Sequence, residues 1–183
     1  MNSVDPIRDM DTVMDIADYL KEKNERDYLL WMLGIYTALR ISDILKLRVR
    51  DVRKRNYVVI REKKTNKERK FVINKELRKA IDHYVVDKKD YEFLIRNTRQ
   101  RLNKAISRQQ AYNILREACE KFGVYHVGTH TMRKTFGYHL YQKTHDAAML
   151  MKIFNHSNIH VTLRYIGVEQ DKIDEEMINF SYK

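Results

Sequence analysis

Five glycines and one proline are the only strong backbone breakers in this chain of 183 residues. So few turns exclude a many-stranded all-β fold and long flexible linkers. Most of the chain instead shows helical periodicity. Met10, Val13, Met14, Ala17 and Leu20 recur at helical spacing, with Asp11 or Thr12 near the start and Asn24 at the end. R-D-Y-L-L-W-M-L-G-I-Y-T-A-L (26–39) is apolar on nearly every side and predicts a buried helix. I-S-D-I-L-K-L (41–47) predicts a short helix with Ser42 or Asp43 near its first turn, and 75–87 predicts another. Ser107 caps a long helix that Gly123 stops, and further helices are expected over 129–143, 146–154, 157–166 and 169–179. Only Y-V-V-I-R (57–61) and R-K-F-V-I (69–73) have the β-branched and aromatic content of paired strands. They predict a hairpin around K-K-T-N-K-E, and Y-E-F-L-I-R (91–96) predicts one more short strand. Helices, a small antiparallel sheet, then helices again define an α+β chain that is mostly α. At this length one domain over 1–183 is expected, with 168–183 as a C-terminal tail helix.

The formal net charge is +11, which favours a polyanionic partner, nucleic acid first. Between Arg48 and Lys79 stand fourteen Lys and Arg against four acids. A one-sided patch costs self-repulsion, so a folded protein that keeps one is expected to use it. The single cysteine, Cys119, excludes an internal disulfide and a cysteine-built zinc site, and is expected to pack as a small core residue. No apolar run reaches the length of a membrane span, and the N-terminus lacks the pattern of a secretory signal. These features together predict a cytoplasmic protein.

The stretch F-N-H-S-N-I-H-V-T-L-R-Y-I-G (154–167) poses the chemical question. Taken alone, Tyr165 is one of twelve tyrosines and reads as a packing or surface residue. A tyrosine hydroxyl, with an ordinary pKa of about 10, is a poor nucleophile. To attack a phosphodiester it needs cations on the non-bridging oxygens, a proton acceptor for itself and a proton donor for the leaving oxygen. Arginine can supply the cation, because its planar fork of donors matches phosphate and keeps its charge. Three segments offer such groups. Arg40 sits between an apolar helix and the start of another, where a freely solvated charge is not expected. His130 and Arg133 stand three apart near a helix N-terminus, on one face, where the helix dipole also favours an anion. His156 precedes Tyr165 by nine residues. His126 with His130, and His156 with His160, have the i,i+4 spacing of zinc ligands, but neither pair has an obvious third ligand, so no metal is expected.

T-A-L-R-I-S-D-I-L-K-L, H-T-M-R-K-T-F and F-N-H-S-N-I-H-V-T-L-R-Y, in this order, resemble the boxes of the tyrosine recombinases, the phage-integrase family. The resemblance spans about residues 10–170. It implies that Arg40 and Arg133 clamp a scissile phosphate and that Tyr165 attacks it to form a 3′-phosphotyrosyl bond. His130 would assist proton transfer at the nucleophile, and His156 would hydrogen-bond a phosphate oxygen. The family carries a catalytic lysine in the loop of a hairpin between the first two boxes; K-T-N-K points to Lys64, with Lys63 and Lys67 as competitors. Lys63, Lys67, Arg69 and Lys134 would add DNA contacts. The energy stays in the covalent bond, so neither a metal nor ATP is required. The implied partners are double-stranded DNA and further copies of the chain, a tetramer on DNA docked through the tail, in a bacterial or phage setting. Ile173, Met177, Ile178 and Phe180 would supply the tail's apolar side.

Three positions depart from the family's common pattern: Ala38 and Asn155 where glycine is frequent, and Asp43 where glutamate is. The N-terminal helical domain that most members carry is not seen ahead of the catalytic boxes, so weaker and salt-sensitive DNA binding is expected. A type IB topoisomerase shares the fold and chemistry but reseals the same strand. A non-catalytic DNA-binding module would keep the fold without the activity. A metal-dependent nuclease would need a clustered carboxylate set that this chain lacks.

Overall fold

The structure is a computed structural model that describes residues 4–61, 68–98 and 102–182. Its elements are α1 (Met10–Lys23), α2 (Glu25–Thr37), α3 (Ile41–Ile44), a 3-10 turn (Val49–Asp51), β1 (Tyr57–Arg61), β2 (Glu68–Val72), α4 (Lys75–Val85), α5 (Arg108–Glu120), α6 (Thr131–Thr144), α7 (Ala147–Phe154), α8 (Ile159–Ile166) and α9 (Val168–Asn179). The helical and hairpin segments expected from the sequence are therefore present, and the architecture is mostly helical with one two-stranded antiparallel sheet.

Local chemistry sets the element ends. Asp9, rather than Asp11 or Thr12, caps α1: its Oδ2 accepts the Thr12 amide at 2.8 Å. Asn24 serves two helices at once. Its amide donates to Leu20 O at 2.8 Å, and its side-chain oxygen accepts from the Arg26 and Asp27 amides of α2. α5 stops as expected, with Gly123 at φ +76° and the Val124 amide reaching back to Cys119 O at 3.0 Å. α6 starts two residues later than the sequence suggests. The Thr131 hydroxyl accepts the Gly128 amide at 2.9 Å, and His130 takes the N-cap position with its side chain left free of any capping role.

The apolar helix α2 is the axis of the main core and packs on α1, α4 and α6. Trp31 is fully buried, and its indole N–H donates to Val13 O at 3.2 Å. Cys119 is buried in the same core, where desolvation pushes its thiol up to about 12, so it acts as a small apolar residue. A second, smaller cluster of Ala38, Leu150, Phe154 and Ile166 joins α6, α7 and α8. Tyr165 packs against this second cluster.

One expectation needs correction. Residues 91–96 do not form a strand. Phe93 bridges Arg48 and Arg96 bridges Ala105, with Leu94 and Ile95 in a turn between them, so the chain changes partner before a ladder can form. Within the basic crowd from Arg48 to Lys79, Arg50, Lys54, Arg55, Arg61, Lys70, Lys75 and Lys79 are exposed, while three arginines are drawn into the fold. Arg48 stacks on Phe93 and donates to Tyr91 O, Arg53 donates to the carbonyls of Val85 and Lys88 at the end of α4, and Arg78 donates to Val52 O at 3.1 Å. These guanidiniums satisfy orphan carbonyls of turns and helix ends, a structural use of positive charge.

Gly137 decides how closely α6 approaches the second cluster. A Cβ there would lie 2.5 Å from the Phe154 ring and 2.7 Å from Ile166 Cγ2. Gly137→Ala is therefore expected to destabilise the protein by about 1–3 kcal/mol, read as a lower midpoint in urea unfolding. An unchanged midpoint would mean that α6 can shift freely, against this packing.

Candidate active site

The candidate residues converge from three places. Arg40 follows the end of α2 and forms the N-cap of α3. His130 and Arg133 lie at the start of α6. His156 and Tyr165 flank and occupy α8. His130 Nδ1 lies 3.1 Å from the Tyr165 hydroxyl. The His156 ring sits edge-on to the Tyr165 ring at 5.0 Å between centroids. Lys63, Lys64 and Lys67 of the hairpin loop lie outside the described residues.

Arg133 is the buried member of the group, with 3% of its surface exposed. It donates to Ala38 O, at the end of α2, and to Phe154 O at 3.0 Å, at the end of α7. Its guanidinium also lies 4.5 Å over the centre of the Phe154 ring. Burial, with the charges of Arg40 and Arg69, lowers its pKa to about 10, against the opposing pull of Tyr165, so it stays charged at neutral pH. Arg40 differs in every respect. It is exposed, and its side chain makes no hydrogen bond or ion pair among the described residues. The expectation that its charge would not be freely solvated is not met, because the turn after Ala38 aims the side chain outward.

The two positions where glycine was expected explain this turn geometry. Ala38 has φ +56° and Asn155 has φ +57°, both left-handed C-caps, of α2 and α7 respectively. Left-handed backbone is where glycine is cheapest. Asparagine tolerates it with little penalty. Ala38 keeps a methyl group that is fully buried in the second cluster, which offsets part of its strain.

The electrostatics of the site are one-sided. Burial, then Arg133, Arg40, Lys134 and Arg108, push the pKa of His130 below its ordinary value. Burial and the same two arginines lower that of His156. Burial raises the phenol of Tyr165, while Arg133 and Arg40 pull it back down. No carboxylate figures among the charges acting on these three groups. Both histidines are thus harder to protonate than a free imidazole, and the site concentrates positive charge.

Arg69 and Lys134 are engaged within the fold. Arg69 stacks on Phe71 and donates to Ile153 O at the end of α7, which fastens β2 to the site. Lys134 donates to Val4 O at 2.7 Å, and its ammonium lies 5.2 Å from the centre of the Tyr165 ring. His160 is exposed, and no cluster of three His, Cys, Asp or Glu occurs among the described residues. Sequence reasoning missed Phe154, the ring on which Arg133, His156 and Tyr165 all rest. It also missed Thr162, whose hydroxyl lies 3.1 Å from His156 Nδ1. Thr162 stands three residues before Tyr165, a one-face helical spacing that could have drawn attention to it.

Comparison with known proteins places the chain in the class of integrases and tyrosine recombinases. The model of the phage integrase family matches residues 7–172, and the chain belongs to that family. It is 48% identical over 171 residues to the probable integrase/recombinase YoeC of Bacillus subtilis, covering 93% of each chain. It is 25% identical to the tyrosine recombinase XerA of Pyrococcus horikoshii, over 89% of this chain but 56% of that one. A crystal structure of XerA recombinase shares the fold with a TM-score of 0.73 at 18% identity, over 97% of this chain and 65% of that one. XerH site-specific recombinase bound to difH substrate superposes with a TM-score of 0.72 at 17% identity, over 94% of this chain and 55% of that one. The chain thus spans nearly all of YoeC and about half of the longer recombinases.

The lowered histidines make stability depend on pH. In the unfolded chain both histidines titrate near 6.5. Below that value the unfolded chain takes up protons that the folded site resists, so stability is full above about pH 6.5 and falls as pH drops towards the lower folded values. Urea midpoints measured from about pH 5 to 8 are expected to show this decline, and His130→Gln is expected to flatten it. An equal decline in the variant would mean that His130 does not carry the effect.

Proposed function

We propose that this chain is a site-specific recombinase that breaks and rejoins double-stranded DNA through Tyr165, without metal or ATP. The observation that carries this reading is the Tyr165 hydroxyl, 3.1 Å from His130 Nδ1, among arginine charges that no carboxylate balances among the described residues. A phosphodiester supplies the missing negative charge. Arg40, exposed and without a side-chain partner among the described residues, and Arg133, rigidly held, would take its non-bridging oxygens. His130 would accept the phenolic proton as the tyrosine oxygen bonds to phosphorus. The bond from phosphorus to the 5′-oxygen would break, and Lys64 would give that oxygen its proton. The products are a 3′-phosphotyrosine and a 5′-hydroxyl. Attack by a second strand's 5′-hydroxyl would reverse the step and rejoin the DNA.

Arginine preorganised against the developing charge is the source of rate here. Transition-state charge on the phosphoryl oxygens rises where Arg133 cannot move, because two helix ends and an aromatic ring fix it. Raising the phenol's pKa by burial alone would slow the reaction. The arginines counter this, and phosphate binding would place their charge where the attack begins. The tail helix α9 exposes Met177, Ile178 and Phe180, which supports docking onto a neighbouring copy and assembly into a tetramer on DNA.

Covalent trapping tests this reading. The protein is mixed with a nicked or 5′-bridging phosphorothiolate duplex carrying a candidate site, in chelator without magnesium. An SDS-stable adduct is expected, and Tyr165→Phe is expected to lose it. Arg40→Ala is expected to slow adduct formation by roughly 10²–10³-fold while leaving the urea midpoint unchanged, because the side chain is exposed and unbonded among the described residues. DNA binding without an adduct, on authentic ends, would favour a non-catalytic module. An adduct that survives in Tyr165→Phe would assign the nucleophile elsewhere.

A further inference from the structure

Thr162 lies on α8 one turn before Tyr165 and is completely buried. A buried hydroxyl without a partner is destabilising, and valine would fill the same space without that penalty. The hydroxyl has two neighbours. Its Oγ1 lies 3.1 Å from His156 Nδ1 and 3.3 Å from Asn158 O. These neighbours compete for one hydroxyl proton, and the outcome decides which nitrogen of His156 carries a proton.

If the hydroxyl donates to Asn158, then Nδ1 must be the protonated nitrogen and Nε2 is a bare lone pair. If it donates to Nδ1, then Nε2 carries the proton. Two observations favour the second arrangement. Asn158 is the N-cap of α8, and an N-cap carbonyl already accepts the first bond of its helix. The bond to His156 is also the shorter. Burial, with Arg133 and Arg40, meanwhile opposes double protonation of the ring, so the neutral ring, with one N–H to place, is the favoured form. A bare Nε2 turned towards a phosphate oxygen would repel it, whereas Nε2–H would donate to it.

We propose that Thr162 is a positioning residue: its hydroxyl donates to Nδ1 of His156 and holds the neutral ring with its proton on Nε2, as a donor to a phosphate oxygen. The proposal rests on the reading of the site as a phosphodiester site. It also explains why the donor can remain neutral in a cationic site, and it couples the histidine to the helix that carries the nucleophile. The bond spans from the loop before α8 to its first full turn, so His156 moves with Tyr165.

The test combines a tautomer measurement with a rate. Side-chain 15N–1H correlation spectra of the full chain separate protonated from bare ring nitrogens, and His156→Gln identifies the His156 signals. Wild type and Thr162→Ser are expected to carry the proton on Nε2, and Thr162→Val to shift it to Nδ1 or to a mixture. Adduct formation with the phosphorothiolate duplex is expected to slow roughly tenfold in Thr162→Val and to recover in Thr162→Ser. A wild-type ring protonated on Nδ1 would overturn the proposal, and so would a Thr162→Val protein that keeps Nε2–H. If Thr162→Val fails to fold, the wild-type and Thr162→Ser spectra still decide it. A wild type with the expected tautomer and no adduct would count against the phosphodiester reading and leave the Thr162–His156 bond standing.

Discussion

The site depends on a buried guanidinium that has no carboxylate partner among the described residues. Arg133 is compensated instead by the carbonyls at the ends of α2 and α7 and by the face of Phe154. Carbonyls in the last turn of a helix are unsatisfied and lie at the negative end of its dipole. Two such ends aimed at one cation make its burial tolerable and leave it with undiminished positive charge towards an anion. A carboxylate would have stabilised Arg133 equally well but would have neutralised it. The arrangement also ties three helices to one point, so the position of the cation and the packing of α2, α6 and α7 cannot vary independently.

The backbone at Ala38 and Asn155 is part of the same device. Both residues are left-handed C-caps, one residue past α2 and α7. Each turns the chain out of its helix beside the carbonyls that Arg133 needs. After Ala38 the chain reaches Arg40, and after Asn155 it reaches His156, so each turn both binds the buried arginine and delivers an exposed or half-buried reactive side chain. A rigid cation and a free one follow from one geometry. The rigid one would offer preorganisation to a bound anion, and the exposed one could adjust to it.

Several elements were legible before any coordinates. The apolar periodicity of α1, the all-round apolarity of α2, the β-branched hairpin and the Ser107 and Gly123 caps each encode a local preference that the fold respects. Residues 91–96 misled because their β content is real but their partner changes across a turn, which no local pattern reports. Three arginines of the basic segment have a use that their local pattern does not report. Sequence shows a charge but not whether a carbonyl will claim it, as carbonyls claim Arg53 and Arg78. Phe154 and Thr162 went unread because an isolated phenylalanine or threonine is ordinary until its neighbours are known.

By itself the sequence determined the chemical repertoire: a tyrosine, two histidines and two arginines in three separated segments, on a chain of helices with one hairpin and a strongly positive charge. Residue types and short-range spacing carry that information, because propensity, capping and charge act locally. Only the tertiary structure decided that Arg133 is buried against two helix ends while Arg40 is exposed, that His130 reaches the phenol, and that the Thr162 hydroxyl lies against His156. Those outcomes depend on contacts between residues from 21 to 95 positions apart for Arg133, and on which carbonyls the turns at Ala38 and Asn155 present. Such contacts arise only when the helices pack, since packing sets the distances on which burial, hydrogen bonding and charge all depend.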